Sequence, residues 1–268
     1  MNDRLKSILR RKRAEVKAAQ SAIPIERLRE QISELGRPRN FFQAVVDRGK
    51  PSRTRVIAEV KRSSPSAGLI REDFDPVAIA RKYHAAGAAA ISCLTDEVDF
   101  GGRLEFIHAI RDSIPLPVLR KDFIVDAYQI WESRAAGADA VLLIAEALRE
   151  SEIIDFQILS VELGMTTLLE VHDADNLCRA IQHVGFPHAG YSLLGINNRN
   201  LRTMKTDIHH SFRLAELVED TRVLVSESGI TSGDDLRRLR EHGIHIVLVG
   251  EHLLRQPDPG TALREMTA

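Results

Sequence analysis

Glu59 and Lys61 stand two residues apart at the end of the apolar run Val56-Ile57-Ala58-Glu59-Val60-Lys61. On an extended strand that spacing sends both side chains to one side, while Val56, Ala58 and Val60 face the other. A carboxylate and an ammonium at the end of a buried strand are costly to desolvate unless they pair or act. A structural ion pair is one explanation. Opposite charges at adjacent inward positions are unusual in a core, which favours a site. Two further runs end in the same way, Leu119-Arg120-Lys121-Asp122-Phe123 and Leu168-Leu169-Glu170-Val171-His172. Lys121 beside a second cation such as Lys61 would have a lowered pKa, and Glu170 in apolar surroundings a raised one. Such a pair can serve as general acid and general base. For either residue alone a solvated strand end is the plain alternative; the case for chemistry is that both fall on the rim of Glu59 and Lys61.

Three more segments bring polar groups to strand ends. Gly195-Ile196-Asn197-Asn198-Arg199-Asn200-Leu201 offers amides that can hold hydroxyl or carboxylate groups. Ser226-Glu227-Ser228-Gly229-Ile230 and Leu248-Val249-Gly250-Glu251-His252 each carry a glycine just after the apolar run. Paired glycine turns followed by a short helix suit a phosphate, which accepts from backbone N–H groups and a helix N-terminus. Ser64 or Ser66 of Ser64-Pro65-Ser66 could add a hydroxyl. The histidines show no ligand spacing, so no metal is expected. His209, His210, His242 and His245 are expected at the surface, and His172 in a loop on the active rim.

These groups need a scaffold that brings strand ends together. Apolar, β-branched runs at Val56–Val60, Ala89–Leu94, Val118–Lys121, Ala140–Ile144, Thr166–Glu170, Leu193–Asn197, Val223–Ser226 and Ile246–Val249 suit a buried parallel sheet. Amphipathic stretches near 75–86, 103–112, 126–136, 148–163, 173–184, 209–219, 232–242 and 258–266 alternate with them. The strand ends recur every ~27 residues, the size of one strand-helix unit of a (β/α)8 TIM barrel. Ala86-Gly87-Ala88, Ala136-Gly137-Ala138, Leu163-Gly164-Met165 and His242-Gly243-Ile244 mark the helix ends, where glycine supplies a left-handed cap. An open sheet of eight strands is the alternative topology. Residues 1–50 are read as a helical extension packed on a barrel of residues 51–268, within one domain. It comprises a basic first helix, a second near Ile25–Leu35 and a third around Phe41-Phe42.

The chain has 268 residues with 37 basic and 38 acidic, a formal charge of −1, which removes the global electrostatic case for nucleic-acid binding. No apolar run reaches the length of a membrane span, and the N-terminus lacks a signal-peptide core. The first 20 residues hold seven Lys/Arg, with Arg10-Arg11-Lys12-Arg13 in a row. Leu5, Ile8, Leu9, Lys12, Val16 and Ala19 nevertheless share one helical face, so an amphipathic helix with a solvated basic face is expected. Cys93 and Cys178 have no metal or disulfide spacing and are expected to be buried, in a cytoplasmic protein.

The motifs Glu59-Val60-Lys61-Arg62-Ser63-Ser64-Pro65-Ser66-Ala67-Gly68, Leu119-Arg120-Lys121-Asp122-Phe123-Ile124, Leu168-Leu169-Glu170-Val171-His172, Ile196-Asn197-Asn198-Arg199-Asn200-Leu201 and Ser226-Glu227-Ser228-Gly229-Ile230 resemble the indole-3-glycerol-phosphate synthase family. The resemblance spans nearly the whole chain, in order. It implies a barrel that converts 1-(2-carboxyphenylamino)-1-deoxyribulose 5-phosphate to indole-3-glycerol phosphate, carbon dioxide and water in tryptophan biosynthesis. It implies no metal or organic cofactor, and a small phosphorylated molecule as the partner rather than nucleic acid or membrane; contacts with other pathway enzymes stay open.

By the same resemblance Lys121 is the acid at ring closure and Glu170 the base or second proton-transfer group. Lys61 binds the substrate carboxylate and is the alternative acid. Glu59 holds the lysines, and Asn197 and Ser228 position the substrate with support from Arg199 and Glu227. Ser64, Gly229, Gly250 and the Glu251 backbone cradle the phosphate. The sequence departs from the family at Arg103, after Gly101-Gly102, at Ala127 after Asp126, and at Glu251, whose carboxylate beside a phosphate must point away. The rival readings are another phosphate-binding barrel such as phosphoribosylanthranilate isomerase, or a non-catalytic binding homologue. Intact Lys121 and Glu170 weigh against a decayed site.

Overall fold

The computed structural model describes residues 3–47, 53–200 and 203–268. Among them eight parallel strands close into a barrel: Arg55–Val60, Ala90–Leu94, Val118–Lys121, Ala140–Ile144, Thr166–Val171, Ser192–Asn197, Leu224–Glu227 and Ile246–Val249. The first strand pairs with both the second and the eighth, which excludes the open sheet. Strand limits match the sequence expectation to within a residue. The boundary anticipated at residues 50 and 51, and Leu201 of the sixth-strand motif, lie outside the described residues.

Alternation along each strand divides the apolar side chains between two cores. Val56, Ala58 and Val60 face outward, where they meet Ile79 and Tyr83 of the helix Pro76–Ala85. Ile57, Leu119, Leu142, Leu168, Leu193, Val225 and Leu248 point into the barrel. Aspartates fix where several helices begin: Asp75 accepts from the N–H groups of Val77 and Ala78, and Asp258 from that of Thr261, each just before a proline. A side-chain oxygen there satisfies otherwise unpaired N–H groups, and proline fits the first turn. Gly87, Gly137, Gly164 and Gly243 all have positive φ, as the helix-to-strand turns demand.

The N-terminal helices are Asp3–Ala22, Ile25–Glu34 and Phe41–Val45. Phe41, Phe42 and Val45 join the cluster inside the barrel and close its lower end. The first helix buries Leu5, Leu9 and Val16 against Val125 and Tyr128.

Lys12 stands on the buried face, where its spacing put it, while on the basic face Arg11 is half-buried rather than solvated as the sequence implied. Lys12 is buried, with its ammonium 2.9 Å from Asp96, Asp122 and Glu15. Arg11 reaches Asp96 at 2.9 Å and Asp99 at 2.7 Å. Carboxylates on the second and third strand ends draw these cations inward, while Arg10 and Arg13 remain exposed. Cys93 is buried as anticipated, but Cys178 is exposed on the outer side of the helix Ala174–Ala180, whose Leu177 faces the core. Among the small elements that carried no sequence signal are a hairpin of Ser63–Ser64 with Gly68–Leu69, and the helix Glu97–Phe100.

Candidate active site

Parallel register sets the strand ends level with one another. Asn197 lies opposite Glu227, Glu170 opposite Gly195, and Leu94 opposite Lys121. The inward positions beyond the apolar layers are therefore Glu59, Lys121, Glu170 and Glu227, a polar rim on an apolar floor. Above it opens a cavity of about 800 Å³, lined by those residues with Lys61, Ser64, Asn197, Arg199, Ser228, Gly229, Gly250 and Glu251. All twelve residues singled out from the sequence converge on this one cavity. Leu142, Ile144 and Leu248 form its floor and Phe100 and Phe123 part of its wall, their ring centroids 6.3 Å apart. Such a surface suits an aromatic ring.

Lys121 is the hub. Its Nζ donates to Glu170 Oε2 at 2.9 Å and to Glu227 Oε2 at 3.1 Å. Burial alone would lower its pKa, but Glu170, Glu227 and Glu59 more than offset that and raise it. Burial alone would raise Glu170; Lys121 and His172 outweigh it and hold this carboxyl below its ordinary range. Both directions are the reverse of the sequence expectation. Lys121 faces three carboxylates rather than chiefly a second lysine, and Glu170 faces cations rather than apolar walls. The raised carboxyl is Glu227, through burial, with Lys121 only partly compensating and Glu170 adding repulsion. Lys61 pairs with Glu59 at 2.5 Å.

Two glycines make room for this cluster. A Cβ on Gly195 would overlap Glu227 Oε1, and one on Gly250 would overlap the Glu59 carboxylate.

The opposite end of the cavity is built from turns. Ser228 has φ 68° and Gly229 φ 75°, two successive left-handed residues after the seventh strand. Serine there is strained and needs outside support. Asn198 provides it: its Nδ2 donates to Ser228 O at 3.1 Å and Ser226 Oγ at 3.0 Å, while its Oδ1 accepts from Ser211 N and Oγ. Ser64 Oγ accepts from Ala67 N, and Ser66 Oγ accepts from Arg199 Nη1 at 2.7 Å. Glu251 lies 3.5 Å from Arg199 and 3.0 Å from Arg255, so its charge is countered where it stands rather than merely turned away.

The other departures are accommodated locally. Asp126 still caps the next helix by accepting from Tyr128 N, with Ala127 as the first helical residue. Arg103 is exposed and lies 4.0 Å from Glu97. Gly102 packs so closely on the Leu94 backbone that no Cβ would fit.

Sequence reasoning missed several contributors. Arg4, Leu5 and Ile8 of the first helix line the cavity, a tertiary relation that no motif encodes. Asp122 was visible only as the residue after Lys121; it accepts from Thr95 at 2.6 Å, pairs with Arg120 at 3.1 Å and with Lys12 at 2.9 Å. Asn198 had a faint signal in the Asn197-Asn198 pair. Glu146 had none, yet it binds His172. His209 and His242 are exposed as expected, and His210 and His245 half-buried.

The indole-3-glycerol phosphate synthase family matches residues 5–266. The indole-3-glycerol phosphate synthase of Rhodospirillum rubrum is 43% identical over 266 residues, 99% of each chain. That of Laribacter hongkongensis is 44% identical over 269 residues, spanning 100% of both. Among solved structures, a 3-hexulose-6-phosphate synthase superposes with a TM-score of 0.62 at 15% identity, covering 80% of this chain and 98% of that one, which speaks to the barrel alone. A match over nearly the whole length, on the strands that build the rim, places the protein: the chain belongs to the indole-3-glycerol phosphate synthase family.

Proposed function

We propose that the cavity binds 1-(2-carboxyphenylamino)-1-deoxyribulose 5-phosphate with its ring on the Phe100–Phe123 side and its phosphate at the Ser64, Gly229 and Gly250 end. The reaction closes the pyrrole ring of indole-3-glycerol phosphate. The ring carbon bearing the carboxylate attacks the ketone carbon while the ketone oxygen takes a proton. Carbon dioxide then leaves and its bonding electrons restore the aromatic ring. The new hydroxyl leaves as water with a second proton, and loss of a proton from the neighbouring carbon completes the indole. Two protons are delivered and one is taken, so one is drawn from solvent overall.

The rim residues divide these tasks by charge. Lys121, kept protonated by its carboxylate neighbours, is the acid at ring closure. Glu170, kept ionised by the same contact, is the base. At 2.9 Å the two can return a proton to each other between steps. Lys61 binds the substrate carboxylate, with Glu59 holding it, and Asn197 and Ser228 position the ribulose chain. Glu227, beside Lys121 rather than at the phosphate end, is placed to assist the second protonation.

The N-terminal helices belong to this same folded unit: the first lines the cavity, the third fills the barrel floor, and the second packs on the helix Ala127–Ala135. No helix among the described residues is long and apolar enough to cross a membrane. A cytoplasmic setting is in keeping with the free cysteines Cys93 and Cys178.

The observation that carries this reading is the ammonium of Lys121 shared between two buried carboxylates at the rim of an aromatic-walled cavity. The test is incubation of purified, chelator-treated protein with the carboxyphenylamino substrate, following indole fluorescence. Indole-3-glycerol phosphate is expected; a folded protein without turnover would overturn the reading.

A further inference from the structure

His172 lies just past the fifth strand with its side chain largely buried, yet none of the proposed chemical steps uses it. Its backbone N–H donates to Glu146 Oε1 at 2.8 Å, and its Nδ1 lies 3.2 Å from Glu146 Oε2. One carboxylate thus fixes both the loop and the ring. The opposite nitrogen, Nε2, lies 3.3 Å from Glu170 Oε1, the oxygen that Lys121 does not bind, and is buried without a hydrogen-bond partner. The imidazole is therefore clamped between a carboxylate outside the rim and the carboxylate assigned as base.

We propose that His172 is a positioning residue for Glu170, oriented by Glu146 so that its Nε2 edge holds the Glu170 carboxylate toward the cavity. This rests on the reading of Glu170 as a proton-transfer group. The pairing repeats a general design, in which a carboxylate fixes the tautomer and orientation of a histidine that acts on a third group. With Nδ1–H donating to the Glu146 carboxylate, Nε2 carries a proton only in the imidazolium, and that proton can only face Glu170 or the cavity.

The surrounding charges favour the imidazolium. Glu146 follows the fourth strand, Glu170 ends the fifth and Glu227 ends the seventh. Burial alone would lower the His172 pKa, but Glu146, Glu170 and Glu227 more than offset it and raise it. His210, from the helix His209–Ala215, reaches the His172 carbonyl at 3.0 Å rather than its ring. Lys121 stands on the far side of Glu170. A cation on each side of Glu170 keeps it ionised. Removing the His172 charge must raise the Glu170 pKa, so the acid limb of the kcat profile moves to higher pH.

His172→Asn should fold, lose kcat on the order of tenfold with KM little changed, and move the acid limb upward by about one pH unit. Glu146→Gln should move it the same way by less. A folded His172→Asn enzyme with the wild-type pH profile would overturn the proposal. Should that variant not fold, the wild-type protein with isotope-labelled histidine decides. The His172 ring should titrate above the ordinary range and fall back toward it in Glu170→Gln and in Glu146→Gln. A ring that titrates ordinarily and ignores both substitutions overturns the proposal. The nuclear magnetic resonance titration needs no turnover, so an inactive enzyme would refute the proposed function while leaving this test intact.

Discussion

Lys121 Nζ donates to Glu170 Oε2 across 2.9 Å, although 49 residues separate the two in the chain. The contact joins the third strand to the fifth across the barrel and sets the charge of both groups. It carries the first prediction. Lys121→Met should lower turnover by roughly 10²- to 10⁴-fold, the range for loss of a general acid. The check is indole fluorescence under saturating substrate. A near-normal rate would transfer the acid role to Lys61.

Asp122 makes the stability of the protein pH-dependent. Burial alone would raise its carboxyl, but Arg120 and Lys12 hold it down at about 2. A depressed native pKa gives stability that is present above the ordinary aspartate range and lost as pH falls through the native value. Asp122→Asn leaves Lys12 and Arg120 short of a buried partner and should cost about 3–5 kcal/mol at neutral pH. Measured by thermal unfolding, the gap from wild type should narrow as the pH falls from 5 toward about 2. A gap that stays constant would mean that Asp122 is not ionised in the native state.

Gly195 is tested by enlarging it. Gly195→Ala places a methyl where Glu227 Oε1 sits, inside a filled barrel. Overpacking of this kind costs about 1–3 kcal/mol. Because the displaced group also binds Lys121, kcat should fall on the order of tenfold while the protein remains folded at room temperature. Circular dichroism alongside steady-state kinetics checks this; unchanged kcat would show that Glu227 need not stay in place.

Arg199 is expected to act at the phosphate end. It donates to Ser66 and lies near Glu251. Arg199→Ala leaves the Glu251 carboxylate with less compensation where the phosphate should bind. KM should rise about tenfold, equivalent to 1.4 kcal/mol, with kcat changed less. The double variant Arg199→Ala with Glu251→Gln should recover part of the loss, since the repelling charge is gone. A rise in KM with no recovery would assign Arg199 a direct role instead.

Much of this molecule could be read along the chain. Eight apolar runs at near-constant spacing, with glycine after the helices, specify a barrel because each unit obeys local rules of strand, helix and cap. Glu59, Lys61, Lys121, Glu170 and Asn197 were legible because each stands at the end of a buried strand, where an ionisable or amide group is conspicuous, whereas Glu227 entered only through the family resemblance. Asp122 and Glu146 were not legible, since Lys12 and Thr95, which hold Asp122, and His172, which Glu146 holds, lie on other elements.

Residue types and spacing determined the strands, the inward face of each and the ring of polar groups at their ends, for these follow from backbone geometry and the cost of burying charge. Only the tertiary structure decided which charge meets which. Lys121 came to face Glu170 and Glu227, so the expected directions of its pKa and that of Glu170 were reversed. Lys12, whose stem was expected along apolar surface, came to pair with Asp96 and Asp122, and Arg11 of the basic face with Asp96 and Asp99. Electrostatic energy falls off with distance in space, and distance along the chain says little about it.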